Sequence, residues 1–196
     1  MDICGSMIRC FFAFDIPGFV VDRLIGLRKE ITAHGFKIKR VAPDNIHITV
    51  RFLGELSPDE ARSACDAARE SVKTACPMTL AVRGVGVFPD PARPRVLWAG
   101  LSGDIRSLVD FHRVLEDNLC SAGFEREQRR FRAHVTLGRM KKGAVDPGKL
   151  ARVMERYVDF QTGSFCIDRL VMYKSQLNAS GPVYTRLAAF DFSSEP

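Results

Sequence analysis

The sequence HITV at residues 47–50 recurs in the second half of the chain as HVTL at residues 134–137. In an extended strand, residues i and i+2 point to the same face. Each stretch therefore presents an imidazole and a hydroxyl side by side, with two aliphatic side chains on the other face. Only 4 of the 196 residues are histidines, and two of them open these stretches. One such pattern carries little information, whereas two in matched contexts indicate two strands that face a common site.

The paired imidazoles and hydroxyls indicate chemistry at a phosphate. An unperturbed imidazole has a pKa of about 6.5, so it can give or take a proton at neutral pH. In-line displacement at phosphorus needs a base on one side and an acid on the other. We therefore predict that His47 and His134 are catalytic, and that Thr49 and Thr136 donate hydrogen bonds to phosphate oxygens. No acidic cluster has metal-ligand spacing, so neither a metal nor a cofactor is predicted.

The apolar periodicity predicts strands and helices interspersed along the chain, with short turns between many strand neighbours. This order favours an α+β fold: a bilobal, pseudo-twofold pair of largely antiparallel sheets, with helices packed outside and a central cleft. Each lobe is expected to contribute one motif strand to the cleft. We predict a single domain over residues 1–196, in which residues 1–6 are a tag remnant or an alternative start.

Local signals give several helix ends. Pro17 is expected in the first turn of a helix that ends near Gly35, which can adopt the left-handed conformation. Ser57 opens a capping box with a proline after it. The second motif is predicted to lie in a strand that runs from Arg130 to Arg139.

Composition limits the partners. The net charge is +6 and the isoelectric point about 9.2, which favours an anionic partner, with nucleic acid ahead of a membrane surface. No window is long and apolar enough for a transmembrane helix, so no membrane association is expected. The six cysteines are scattered, which is typical of reduced thiols in a cytoplasmic protein. A monomer is expected, because no heptad pattern or exposed apolar segment is evident.

Arginines near the motifs are the candidates for substrate binding. By strand parity, Arg51 shares a face with the first-motif histidine, and Arg130 and Arg132 share a face with the second. Arg139 is at odd spacing, so strict alternation points it away from the site, although a β-bulge or the strand end could reverse this.

A wider set of residues could contact RNA. Four aromatic rings could stack a nucleobase, although core packing is the favoured interpretation for each: Phe11, Phe52, Phe131 and Trp98. Of these, Phe11 is taken as a candidate substrate-binding residue. A basic run could follow an RNA backbone or could be a solvated loop; its members are Arg126, Arg129, Arg130, Arg132, Arg139, Lys141 and Lys142.

The chain resembles the RNA 2′,3′-cyclic phosphodiesterases, also called 2′-5′ RNA ligases, which belong to the two-histidine (2H) phosphoesterase superfamily. The resemblance covers nearly the whole chain from Met7, and one departure is Ala133, where the family usually has proline. The segments that carry it are Arg9 with FFAFDIP (11–17), NIHITVRFLGE (45–55), GVGVFP (84–89), RVLWAG (95–100), FRAHVTLGR (131–139) and SQLNASGPVY (175–184).

The resemblance implies a bilobal α+β fold around a basic cleft and a metal-independent hydrolysis of an RNA terminal 2′,3′-cyclic phosphate to a 2′-phosphate. It also implies that His47 is the proton donor, that His134 is the proton acceptor, and that Arg139 contacts the phosphate. Reversible 2′-5′ ligation of tRNA halves is a further activity of this family.

Two other functions stay open on the sequence. One is a phosphodiesterase for small cyclic nucleotides or ADP-ribose cyclic phosphate, because the motifs specify the reacting phosphate and not its substituents. The other is a catalytically silent RNA-binding module, although binding alone would not require both histidines and both threonines.

Overall fold

A computed structural model describes residues 6–140, 146–179 and 181–193. The fold is α+β, as predicted from the periodicity. Strands and helices are interspersed as far as residue 156, and the last three described elements are strands. The proposed tag or alternative start falls mostly outside the described residues, as do Lys141 and Lys142 of the basic run.

The described residues form nine strands, four α-helices and one short 3-10 helix. The strands are β1 (Ile8–Asp15), β2 (Ile38–Arg40), β3 (His47–Leu56), β4 (Met78–Phe88), β5 (Val96–Gly103), β6 (His134–Met140), β7 (Phe165–Ile167), β8 (Arg169–Asn178) and β9 (Gly181–Asp191). The helices are α1 (Gly18–Ala33), α2 (Pro58–Val72), α3 (Ile105–Ser121) and α4 (Pro147–Arg156), and the 3-10 helix is Pro43–Asn45.

The strands pair in the order β7-β4-β5-β6-β3-β1-β8-β9, with β2 on β6, and every ladder is antiparallel. Two half-sheets meet at the motif strands β3 and β6. A single residue pair, Ile48 with Val135, joins them. The predicted pair of antiparallel sheets is thus one curled sheet with a narrow central seam, and the two motifs lie at that seam.

One hydrophobic cluster contains residues of all four helices and both half-sheets, including Leu24 of α1, Leu115 of α3 and Leu150 of α4. The helices therefore cover one face of the sheet and leave the other face open along the seam. None of the helices in the described ranges is long and apolar enough to cross a membrane.

The helix ends follow the local signals. The capping box at Ser57 is present, because its hydroxyl accepts from the Glu60 amide while the Glu60 carboxylate accepts from the Ser57 amide. Gly35 has φ +87° after α1, and Gly123 has φ +91° after α3. One boundary differs from the prediction: the strand expected from Arg130 begins only at His134, because residues 124–133 form neither helix nor strand.

Candidate active site

The two motifs lie on the open face of the sheet. In each of them the aliphatic residues are buried, and Ile48 and Val135 have no exposed surface at all. His47 and Thr49, and likewise the two corresponding residues of β6, are only partly buried. The alternation predicted from the sequence therefore holds within each motif, and all four polar side chains share one face.

The antiparallel pairing at the seam brings the two motifs together. Because Ile48 is opposite Val135, His47 lies on the side of Thr136 and His134 on the side of Thr49. Each imidazole thus faces the hydroxyl of the other motif across the seam. Within the first motif, His47 Nε2 lies 2.9 Å from Thr49 Oγ1.

The backbone two residues upstream interacts with each imidazole. His134 Nδ1 lies 2.6 Å from the carbonyl oxygen of Arg132, so that nitrogen carries the proton and donates it. The backbone of Asn45 also interacts with His47 and favours its protonated form. With the Nδ1 of His134 bound to a carbonyl, Nε2 is the nitrogen of that ring left for proton transfer in the cleft.

Aromatic rings surround both histidines. Phe11 stacks on His47 with ring centroids 5.0 Å apart, and Tyr184 meets the same imidazole edge-on at 5.5 Å. Phe88 meets His134 edge-on at 5.0 Å and stacks on Trp98 at 5.0 Å.

A glycine makes room for the Trp98 ring. A Cβ on Gly86 would lie only 2.3 Å from the indole, so the glycine of the GVG segment serves ring packing next to the site.

This enclosure changes the proton affinities of the histidines. Burial lowers the pKa of His47 to about 4, and the nearby charge of a protonated His134 acts in the same direction. The Asn45 backbone and Asp15, which is opposite His47 on β1, raise the His47 pKa but do not offset the burial. Burial also lowers the pKa of His134, against its hydrogen bond to Arg132. Both imidazoles are therefore mainly neutral at pH 7.

Arg139 lies on the cleft side because of a β-bulge. Thr136 is opposite Trp98 and Gly138 is opposite Leu97, so Leu137 has no partner on β5. The extra residue shifts the alternation by one, and Arg139 becomes exposed between two buried neighbours. Burial raises the pKa of Tyr184, and the positive charges of Arg139 and Arg9 act against that shift. Both arginines therefore lie near the tyrosine that contacts His47.

The parity argument for Arg130 and Arg132 was wrong, since neither residue belongs to β6. Both are exposed in the irregular segment before it. Arg132 is nevertheless close to the site: its guanidinium lies 5.9 Å from the centre of the Phe88 ring, which itself contacts His134. Arg130 has no contact of this kind within the described residues.

The prediction that Arg51 shares the face of His47 was also wrong. Phe12 is opposite Arg51 and Ala13 is opposite Thr49, so one residue of β3 between them is bulged. Arg51 consequently points to the helix-covered face, where its side chain is 12% exposed and pairs with Glu116 of α3. The structure does not bring Arg51 to the histidines.

Two phenylalanines next to the site differ in exposure. Phe11, a predicted substrate-binding residue, is 2% exposed and its ring is covered by His47, Tyr173 and Tyr184. Phe52 is 60% exposed and lies 5.9 Å from Phe11 on the same face. It is the open aromatic surface next to the site.

Three residues near the histidines were not assigned from the sequence: Arg9, Phe88 and Tyr184. Tyr184 comes from the last strand, which reaches the site only through the β1–β8–β9 pairing. The only signal for these residues was that they lie in or beside segments that resemble the family. Among the described residues, no group of three or more His, Cys, Asp or Glu side chains could hold a metal ion.

A curled antiparallel sheet with a His-x-Thr-x strand from each half at its seam is the arrangement of the two-histidine phosphoesterases. The family model for LigT-like phosphoesterases matches the chain twice, over residues 15–98 and 101–184. The chain belongs to the LigT-like phosphoesterase family. Each match contains one of the two motifs, so the duplication seen in the sequence runs through most of each half.

Curated relatives span most of the chain. A protein of Aeropyrum pernix named RNA 2′,3′-cyclic phosphodiesterase is 35% identical over 168 residues, which are 86% of this chain and 94% of that protein. One of the same name from Archaeoglobus fulgidus is 31% identical over 186 residues, with 94% of this chain and 100% of that protein covered.

Solved structures share the fold. Escherichia coli LigT in its apo form superposes with a TM-score of 0.76 at 23% identity, over 96% of this chain and 99% of that one. The same protein in complex with 3′-AMP gives a TM-score of 0.76 at 24% identity over the same fractions.

Proposed function

We propose that this protein hydrolyses the terminal 2′,3′-cyclic phosphate of RNA to a 2′-phosphate, with its two histidines as an acid–base pair. The observation that carries the proposal is the seam, where two imidazoles and two hydroxyls share one open face. The relatives named RNA 2′,3′-cyclic phosphodiesterase support the same substrate.

The reaction follows from the two imidazoles. His134, whose Nδ1 proton is held by the Arg132 carbonyl, accepts the proton of a water molecule at Nε2. The water oxygen bonds to phosphorus and the bond to the 3′ oxygen breaks. His47 donates a proton to that leaving oxygen, which leaves a 3′-hydroxyl and a 2′-phosphate. His47 has then lost one proton and His134 has gained one, and proton exchange with solvent restores the starting state.

The remaining groups stabilise the phosphate. Thr49 and Thr136 donate their hydroxyl protons to the non-bridging oxygens, and Arg139 supplies a positive charge on the same side of the sheet. If the 5′-hydroxyl of a second RNA replaces water as the nucleophile, the same steps form a 2′-5′ linkage. Ligation of tRNA halves is thus a variant of the same reaction and belongs to the proposal.

The RNA chain itself would be held outside the reacting centre. Phe52 offers an exposed ring for a nucleobase, and Arg129, Arg130 and Arg132 are exposed in the segment next to the second motif. We propose that the protein is cytoplasmic, since the five cysteines that the structure describes are all free thiols, and that it acts as a monomer.

Turnover of an oligoribonucleotide that ends in a 2′,3′-cyclic phosphate tests the function. We expect a 2′-phosphate product in the presence of EDTA, with faster turnover at limiting substrate than for 2′,3′-cyclic mononucleotides or ADP-ribose cyclic phosphate. Preference for either small substrate would favour the small-nucleotide phosphodiesterase. Binding without turnover would favour the silent RNA-binding module, and activity that is lost in EDTA and restored by a divalent ion would overturn the metal-independent mechanism.

Replacing either motif threonine with valine should lower kcat/KM by about 10-fold to 150-fold, which corresponds to a lost hydrogen bond to a charged group of about 1.5–3 kcal/mol. Thr49→Val and Thr136→Val preserve volume and strand propensity, so the fold should persist. Thr79→Val is the matched control, because Thr79 is an exposed strand residue of β4 beside β7, away from the seam. Wild-type kinetics in both motif variants would mean that the hydroxyls do not contact the phosphate.

Charge reversal at Arg129 should weaken the binding of long RNA ends more than that of mononucleotides. Each lost phosphate contact should reduce the slope of log affinity against log salt by about 0.7 for a single strand. Arg129→Glu should leave the turnover of bound cyclic mononucleotide unchanged, because that phosphate is held by the motifs. Arg106→Glu on α3 changes the net charge equally and serves as the control. Length-independent and salt-independent affinity in the wild type would remove RNA polymers as the substrate.

A further inference from the structure

A buried ion pair joins the first motif strand to helix α3. Arg51 Nε lies 2.5 Å from Glu116 Oε1, at an angle that makes the contact an ion pair rather than an aligned hydrogen bond. The Arg51 side chain is 12% exposed and that of Glu116 is 5% exposed. The pair therefore lies almost entirely away from solvent, on the face of the sheet opposite the histidines.

Both partners also hold the irregular segment before the second motif, residues 125–133. Arg51 Nη2 donates to the carbonyl of Glu125 at 2.6 Å, and Glu116 Oε2 accepts from the amide of Glu127 at 3.0 Å. The Glu127 carboxylate lies 3.8 Å from Arg51 Nη1. These contacts attach the start of a segment that has no helical or strand hydrogen bonds of its own.

Helix α3 also contacts the end of the same segment. Phe131 stacks on His112 with ring centroids 4.1 Å apart and an interplanar angle of 10°. His112 and Glu116 are one turn apart on the helix, so both attachments come from one face of α3. The segment is thus fixed at two places between α3 and β6.

The position of this segment affects the site in two ways. Its Arg132 carbonyl accepts the Nδ1 proton of His134 at 2.6 Å, and this contact sets both the tautomer and the ring orientation. Its exposed arginines include Arg132, whose guanidinium lies over the Phe88 ring beside the same histidine. A shift of the segment would move the imidazole and the nearby positive charges together.

We propose that Arg51 and Glu116 are positioning residues, which hold the 125–133 segment so that His134 keeps its reactive tautomer and the arginines keep their places for RNA. The pair links the strand of the first histidine to the approach of the second. The role deepens the proposed function and rests on it for its kinetic consequences, but not for its structural ones.

The geometry distinguishes positioning from simple stabilisation. An apolar pair of similar volume often stabilises a core as well as a buried ion pair does. What an apolar pair lacks is directional contacts to the Glu125 carbonyl and the Glu127 amide. These two bonds to backbone groups of one segment are the specific contribution of the charged pair, since a guanidinium donates in several fixed directions.

The test uses two variants and one control. The double variant Arg51→Met/Glu116→Leu replaces the pair by apolar side chains and retains packing, while Glu116→Gln retains the shape and removes the charge. Asp110→Asn breaks an exposed ion pair with Arg113 on the same helix and serves as the control. Thermal unfolding identifies the variants that fold. Imidazole nitrogen resonances report the tautomer of His134, and steady-state kinetics separate kcat from KM.

In a folded variant that lacks the pair, we expect the His134 resonances to move from the single Nδ1-protonated form toward a mixture of tautomers, with those of His47 unchanged. On a cyclic mononucleotide, kcat should fall by about 10-fold to 100-fold, the size of effect that partners orienting a metal-bound histidine have. KM for an oligoribonucleotide should rise in addition, and the control should match the wild type.

A folded double variant with wild-type His134 resonances and wild-type kcat would overturn the proposal and leave the pair a purely stabilising role. If neither variant folds, Arg51→Lys retains the charge but loses the fork of donors. Unchanged resonances in that variant would equally contradict the role. If the wild-type protein itself hydrolysed no cyclic phosphate, the proposed function would fail, while the resonances would still decide whether the pair positions His134.

Discussion

Replacing His47 with alanine is expected to lower kcat by about 10²–10⁴-fold, and replacing His134 is expected to do the same. Each imidazole transfers one proton in the proposed reaction. Both side chains are only partly buried, on the face of the sheet away from the core, so alanine should leave the fold intact. Circular dichroism and single-turnover kinetics on a cyclic-phosphate-ended RNA check the two effects separately.

The double variant adds a sharper test. If the two histidines act as one acid–base pair, removing both should cost little more than removing one, because the residual rate then comes from binding and charge stabilisation alone. His34→Ala is the matched control, since His34 lies at the end of α1 and contacts neither motif. More than about a tenth of the wild-type kcat in either single variant would exclude proton transfer by that residue.

The site was predictable where its geometry follows from local alternation. His47 and Thr49 share a face because nothing interrupts β3 between them, and the same holds for His134 and Thr136. The seam itself was expected only as two lobes around a cleft. That the lobes are hydrogen-bonded through one residue pair depends on long-range strand pairing, which alternation within a strand does not specify.

Irregular strand pairing explains where strict alternation misplaced two of the arginines. The period of two applies only while the ladder is regular, and one extra residue reverses every side chain beyond it. Such a bulge removes Arg51 from the site, and a second one brings Arg139 toward it. Arg130 and Arg132 failed differently, because the strand that would have oriented them begins later than the sequence indicated.

Residues from distant parts of the chain were beyond any local pattern. Tyr184 contacts His47 although 137 positions separate them in the chain. The contact forms because β8 pairs with β1 and β9 with β8, which brings the last strand to the site. Phe11 was identified as a site residue, but its burial depends on being enclosed by His47, Tyr173 and Tyr184. Sequence periodicity places a ring on a face and does not determine what covers it.

The pH dependence of kcat/KM is expected to be bell-shaped, with its maximum below about pH 6.5. The productive form has one imidazole protonated and the other neutral. Burial lowers the pKa of both, that of His47 to about 4. As pH rises above the higher of the two pKa values, both imidazoles become neutral and kcat/KM should fall about tenfold per unit. Below the lower value both are charged, and the rate falls again.

The profile of kcat should be displaced to higher pH. A proton donor with a pKa of about 4 is almost entirely neutral at pH 7 in the free enzyme, so the substrate has to favour its charged form. The phosphodiester anion does this, because a negative charge beside an imidazole raises its pKa. Since kcat reports the enzyme–substrate complex and kcat/KM the free enzyme, the alkaline limb of the kcat profile should lie at higher pH than that of kcat/KM.

Arg139→Gln removes a positive charge near the site. It should move the alkaline limbs of both profiles to higher pH, whereas Arg106→Gln on α3 should move neither. If the two alkaline limbs coincided in the wild type, the charge of the substrate would not reach the histidines, and an acid–base pair around the phosphate would have to be abandoned.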